Sequence, residues 1–221
     1  RIGAEEPLVI GHLVHIALVA ISTDSLRSVA ATCPIGESQA VELDRLLSEV
    51  DLNGSYRRAM QGEIAYGLAT YTHVGDLRKS EPAEYEDETT HRIQALLLPS
   101  WFWRPFLYAD QIAYIDLMEG RAKLFDLDSF ELKKRGLLPE DPKIPPLAIL
   151  TRTVSPVFGP TTLARDKGKA SCLGNRILLG LIVYRNRFGE YPESLSLLRS
   201  KLGWTVETDP FTGKDFVYRR E

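Results

Sequence analysis

A mainly α-helical, bundle-like domain closed by a small C-terminal β-hairpin is the fold class this chain predicts. Three observations lead there. Apolar residues recur at three- and four-residue spacing over several long segments. Glycine and proline fall between those segments more than inside them. Near the end, two short alternating stretches, Trp204-Thr205-Val206-Glu207 and Phe216-Val217-Tyr218, flank Asp209-Pro210-Phe211-Thr212-Gly213-Lys214, a sequence rich in turn residues.

The first helix is expected over 7–32. Leu8, Val9, Leu13, Ile16, Ala17, Ala20 and Ile21 make one stripe, Pro7 suits the first turn, and Cys33-Pro34 closes the helix. A second helix over 37–50 turns Leu43, Leu46, Leu47 and Val50 inward. Asp51-Leu52-Asn53-Gly54 reads as a turn, and Ser55 as the N-cap of a third helix over 55–74. The inner face of that helix is Ala59, Met60, Ile64, Gly67, Leu68 and Tyr71. Residues 76–90 are polar and acidic and read as an exposed loop, and 93–98 as a short helix ended by Pro99.

A helix over 105–124 follows, with Pro105 in its first turn. Four prolines in 139–146 exclude regular structure there, and 148–160 reads equally as a short helix or an extended loop. The last long helix is expected over 161–188, on Leu163, Ala170, Leu173, Ile177, Leu181, Tyr184 and Phe188. Gly168, Gly174 and Gly180 inside it point to close neighbours, and Gly189 suits a left-handed C-cap. A short helix over 193–202 precedes the hairpin. Residues 1–188 thus form a helical domain and 189–221 a C-terminal module packed on it.

Composition narrows the function. The 221 residues are 44% hydrophobic, enough for a core without disulfide or metal staples. With 27 basic against 30 acidic residues and no basic run, nothing draws the chain to nucleic acid or to an anionic membrane. The apolar stretch 8–21 has 14 residues, short of the ~20 a membrane span needs, and contains His12 and His15. It is therefore expected to be a core helix, with membrane contact only through a segment ahead of Arg1. Cys33 and Cys172 are expected to be separate thiols rather than a disulfide.

The end of the chain carries a resemblance. Tyr184-Arg185-Asn186-Arg187-Phe188-Gly189-Glu190-Tyr191-Pro192-Glu193-Ser194-Leu195, followed by Asp209-Pro210-Phe211-Thr212-Gly213-Lys214 and Tyr218-Arg219, resembles a module of uncharacterised bacterial proteins of planctomycete type. Arg58-Ala59-Met60-Gln61-Gly62-Glu63 is similar to an Arg-Gly-Glu helix in the same proteins. The module also resembles the C-terminal end of type II secretion pseudopilins. The likeness covers about 40 residues, and a pseudopilin begins with its long apolar helix, whereas here other helices come first. It implies an extracytoplasmic setting, often behind an N-terminal anchor, and calcium near the final loop.

Four groups of residues are candidates for chemistry or binding. Asp209, Thr212 and Asp215 offer oxygens for calcium, although turn chemistry alone accounts for them. His12 and His15, one helical turn apart, could reach one zinc ion given a further ligand such as Glu63 or His73. Glu63 reads as a general acid or base or, preferably, as a carboxylate paired with Arg57, Arg58 or Arg187. Trp101, Trp103, Arg104, Phe106 and Tyr108 could line a contact surface, core packing being the commoner fate of such residues. No nucleophile elbow, P-loop, dinucleotide fingerprint or His-Glu-x-x-His motif is present. The sequence thus points to a non-enzymatic, extracytoplasmic binding or assembly domain with a protein partner, needing no cofactor unless calcium. Its rival is a metal-dependent or hydrolase-like enzyme using Glu63 with His12 and His15.

Overall fold

The structure, a computed structural model, describes residues 7–76, 100–137, 144–155 and 158–220, without the side chains of 74–76 and 100–103. In chain order the helices are α1 (Val9–Thr32), α2 (Glu37–Ser48), α3 (Leu52–Asp76), α4 (Ser100–Ala122), α5 (Ser129–Lys134), α6 (Ile149–Val154), α7 (Phe158–Phe188) and α8 (Ser196–Leu202). Most of the acidic segment 76–90, the helix expected over 93–98 and most of the proline-rich stretch lie outside the described residues.

Helix α7 is the spine, packing against α1, α2, α3, α5 and α8. Two of its glycines permit that. A Cβ on Gly168 would stand 3.0 Å from Leu52 and 3.5 Å from Ile16, so α1 and α3 both close on α7 there. A Cβ on Gly180 would stand 2.8 Å from the Trp204 indole nitrogen. Gly174, expected to play the same part, has nothing near it.

Helix α3 begins three residues earlier than expected. Asp51 caps it, its carboxylate accepting the Gly54 N–H at 2.7 Å, and Ser55 is displaced into the helix, where it is buried. Its predicted inner face holds: Ala59, Met60 and Tyr71 are buried. Pro105 lies in the second turn of α4, because the helix starts at Ser100 rather than at the proline. The ambiguous stretch after residue 148 resolves into α6.

The core has an aromatic half and an aliphatic half. Tyr56, Met60, Tyr71, Tyr114, Met118, Phe125 and Phe158 fill the space between α3, α4 and the start of α7. Ile177, Leu179 and Val183 of α7 meet Ala40 of α2 and Leu195, Leu198, Trp204 and Val206 of the C-terminal module. Two short helices are held by buried carboxylates. Asp110 accepts the Leu150 and Thr151 N–H groups at 2.8 and 2.9 Å, at the start of α6, together with the Thr151 and Tyr71 hydroxyls. Asp166 accepts the Ser129 N–H at 2.7 Å at the start of α5 and pairs with the buried Arg165. Anions at helix N-termini favour the helix twice, by satisfying free N–H groups and by opposing the dipole.

The predicted β-hairpin does not form: the described residues contain no strand. The backbone of its first arm is bonded elsewhere. Trp204 N–H donates to the Leu198 carbonyl at the end of α8, and the Val206 carbonyl accepts from Arg199. The Trp204 indole donates to the Arg176 carbonyl on α7. With those groups occupied, the second arm has no ladder to join; Val217 is 88% exposed, and Tyr218 instead donates its hydroxyl to the Pro192 carbonyl. Alternation over three or four residues was a weak signal beside docking onto two helices.

Candidate functional site: the two faces of α1

Helix α1 runs antiparallel to α3 and alongside α7, and its sides match its apolar pattern only in part: Val9 and Ile16 of the expected stripe pack on the core, and the rest of the inward side is of another kind. The inward side carries Gly11, His12, Val19 and Thr23, all buried. The outward side carries Ile10, Leu13, Val14, Leu18 and Ile21, of which Ile10 is 71% and Ile21 64% exposed. Leu13, Ala17 and Ile21, expected in the core, therefore lie on the surface.

The outward turn of the aliphatic side has a local cause. His12 through Nδ1 finds a partner on α3 and Thr23 through its hydroxyl one on α7, while close approach is granted by glycines. The Thr23 hydroxyl bonds to the Val19 carbonyl and to Ser171 of α7. A Cβ at Gly62 would overlap the Pro7 carbonyl, so α3 accepts the start of α1 only with glycine there. One residue on, Glu63 accepts the Val9 N–H at 2.9 Å and so caps α1. Of the arginines expected to pair with Glu63, Arg57 pairs with Asp126 and Arg187 with Glu37.

His12 and His15 share one hydroxyl. Ser55 Oγ lies 2.9 Å from His12 Nδ1 and 3.2 Å from His15 Nδ1. The hydroxyl has one hydrogen, so one neutral ring accepts it and the other donates its own Nδ1–H. His12 is fully buried, its ring 5.4 Å from that of Tyr56, and its Nε2 has no partner. Burial, then the neighbouring His15 and Arg165, push the His12 imidazole down to about 4. Burial and Arg58 also hold His15 below the usual value, against the pull of Asp51.

This arrangement does not bring Glu63 to the two histidines. Ser55 and His12 have the elements of a nucleophile–base pair, but Ser55 is 1% exposed and is closed off from solvent. Glu63 caps α1 two helical turns away from Ser55 on α3 and does not join the histidines. Both Nδ1 atoms are engaged by Ser55. Among the described residues no three His, Cys, Asp or Glu side chains are placed to hold a metal ion.

The other candidates separate in the same way. Asp209 receives the Phe211 N–H on one carboxylate oxygen and the Thr212 hydroxyl on the other, while its carbonyl accepts from Thr212 and Gly213. Both oxygens thus serve the turn, and Asp215 is exposed beside it. Gly213 is required twice, by its φ of 64° and because a Cβ would stand 2.4 Å from the Phe130 ring. Trp101 and Trp103 lie in the first turn of α4, where side chains are outside the description; Arg104, Phe106 and Tyr108 are exposed. Cys33 and Cys172 are free thiols, one exposed and one buried, and burial pushes Cys172 up to about 11.

A polar recess of about 110 Å³ lies between α2, α3 and α7 beside Asp51, Lys169, Cys172, Arg176 and Glu207. Ligand sites typically run to roughly 300 Å³ or more, so this one suits a few waters. Of its two cations, Lys169 and Arg176, the arginine is committed to Asp44 and Glu207.

The outer face of α1 is what remains as a site, and sequence reasoning missed it. The 24-residue helix has a window of mean hydropathy 1.6 and is long and apolar enough to cross a membrane. The available signal was the absence of any Asp, Glu, Lys or Arg between residues 7 and 23. The helix was expected as far as Thr32, but its apolar stretch was counted only to Ile21 and so fell short of a span. No protein-family model, curated protein or solved structure matches the chain. Its function is therefore argued from this geometry.

Proposed function

We propose that the chain is a non-catalytic docking domain that adsorbs to a lipid bilayer through the outer face of α1, on the extracytoplasmic side of a bacterial membrane. One observation carries the reading: an uncharged aliphatic stripe from Ile10 to Ile21 faces solvent while His12 and Thr23 of the same helix are buried and His15 is half-buried. A soluble helix places those groups the other way round. Contiguous apolar surface of this kind marks a contact with membrane or protein.

Helix α1 would lie in the plane of the bilayer rather than across it. Its inner side is packed on α7, whose Arg165, Asp166, Lys167 and Lys169 exclude insertion of the pair as a unit. Removing the exposed parts of five aliphatic side chains from water is worth on the order of 5 kcal/mol, giving weak and reversible adsorption. The extracytoplasmic placement rests on the likeness of the C-terminal module to planctomycete-type proteins and pseudopilins.

Flotation with phosphatidylcholine vesicles tests the proposal. The protein should float with the vesicles, insensitively to salt because no charge is involved, and the Leu18→Asp/Ile21→Asp variant should stay behind with unchanged circular dichroism. Absence of flotation, or flotation unaffected by the double substitution, would overturn it. Self-association on gel filtration that the same substitutions abolish would replace the bilayer with a second copy.

A further inference from the structure

We propose that His12, Ser55 and His15 form an acid-sensitive latch, which holds α1 on α3 and α7 while both rings are neutral and releases it when they are protonated. The latch is the interface beneath α1, so the inference stands whatever the outer face meets.

The geometry leaves no place for added charge. Once protonated, His12 carries a hydrogen on both ring nitrogens whichever tautomer it began from, and the Nε2–H of this fully buried ring would meet neither water nor carboxylate. The groups around it are of the wrong kind. From α7, Arg165 holds its guanidinium 4.9 Å from the Tyr56 ring, the same ring that His12 contacts. The one acid beside it there, Asp166, is taken by Arg165 and by the start of α5. From α3, Ser55 and Tyr56 are neutral, and Arg58 repels a charge on His15. Only Asp51, at the cap of α3, attracts one. On α1 the two histidines oppose each other across a single hydroxyl. Moving α1 away returns both rings to water, so protonation and release are linked.

What α1 would leave is an interface with a small apolar centre. Beneath the latch the contact is Val19, Leu52 and Cys172, with Ile16 and Val50 at its edge. The aromatic and aliphatic halves of the core are built mostly without α1, drawing on Val9 at its start and Leu26 and Ala30 at its end. Release of the helix can therefore precede loss of the remaining fold.

Cys172 is a native reporter, because it is buried under α1 while Cys33 is exposed. The Cys33→Ser protein would be treated with 4,4′-dithiodipyridine, which reacts with thiols in acid, and its rate scaled to the urea-unfolded chain at each pH. Labelling should accelerate about 30-fold between pH 7.5 and pH 5 while most of the helical circular dichroism persists. His12→Asn keeps an amide where Nδ1 meets Ser55 and cannot titrate, so in that background the acceleration should fall to the smaller share carried by His15. His12→Phe replaces it if the asparagine variant lacks the helical signal at pH 7.5. No acceleration, the same acceleration without the histidine, or acceleration only with complete loss of helix would each overturn the latch.

Discussion

Gly180 and Gly174 sit six residues apart on one helix, and the same substitution should change stability in opposite directions. At Gly180 an alanine methyl would stand 2.8 Å from Trp204 Nε1, 2.9 Å from Cδ1 and 3.1 Å from Cε2. The ring is not a loose end that can swing away. It is 9% exposed, belongs to the aliphatic core, and donates from Nε1 to the Arg176 carbonyl at 3.0 Å. Overpacking costs about 1–3 kcal/mol and weakening that hydrogen bond about 1, against a gain in helix propensity of ~1 kcal/mol. Gly180→Ala should therefore destabilise by roughly 1–3 kcal/mol. At Gly174 nothing lies within 4 Å, so Gly174→Ala should keep the propensity gain and stabilise by about 0.5–1 kcal/mol. The two variants should melt roughly 4–12 °C apart. Urea titration followed by circular dichroism, with tryptophan fluorescence reporting the Trp204 environment, measures both. A Gly180→Ala protein as stable as Gly174→Ala would refute the docking of Trp204 on α7.

Four further outcomes are expected. The native pKa of His12 lies below its unfolded value, so its contribution is full above pH 6.5 and is lost as pH falls toward 4. That loss should reach about 2 kcal/mol at pH 5 in urea titrations and be absent in His12→Asn. Burial pushes the Asp110 carboxyl up, but its bonds from Thr151, Leu150 and Tyr71 outweigh this and hold it below the usual carboxylate range. Its contribution is therefore full above the usual carboxylate range and is lost as pH falls through that range and below it, so at pH 5 and above the histidine dominates. Asp110→Ala at pH 7 should destabilise by about 3 kcal/mol, since it strips partners from buried donors at the start of α6; a cost under ~1 kcal/mol in urea titration would contradict the cap. Asp209→Ala should cost about 1 kcal/mol through loss of the turn. Calcium should move the melting midpoint of the unaltered protein no more than an ionic-strength control; a specific shift abolished by Asp209→Ala would make the loop a metal site.

The mainly helical class was legible in the sequence, and so were α3's inner face, the limits of α1 and α7, and the turn at Asp209. These depend on local chemistry: periodicity, a proline or glycine at a boundary, and an aspartate bonding its own backbone two residues on. What the sequence alone left undetermined depended on neighbours distant along the chain. Trp204 to Glu207 alternates like a strand, but its hydrogen bonds go to Leu198, Arg199 and Arg176, so no ladder forms. Glu63 was one carboxylate among many until the start of α1 settled over Gly62 beside it. The sides of α1 were undetermined for a further reason. Apolar residues surround the helix almost completely, so periodicity could not choose between its faces. The choice fell to Ser55, Ser171, Gly62 and Gly168, which accept histidines, a threonine and a close backbone and leave the aliphatic side facing out.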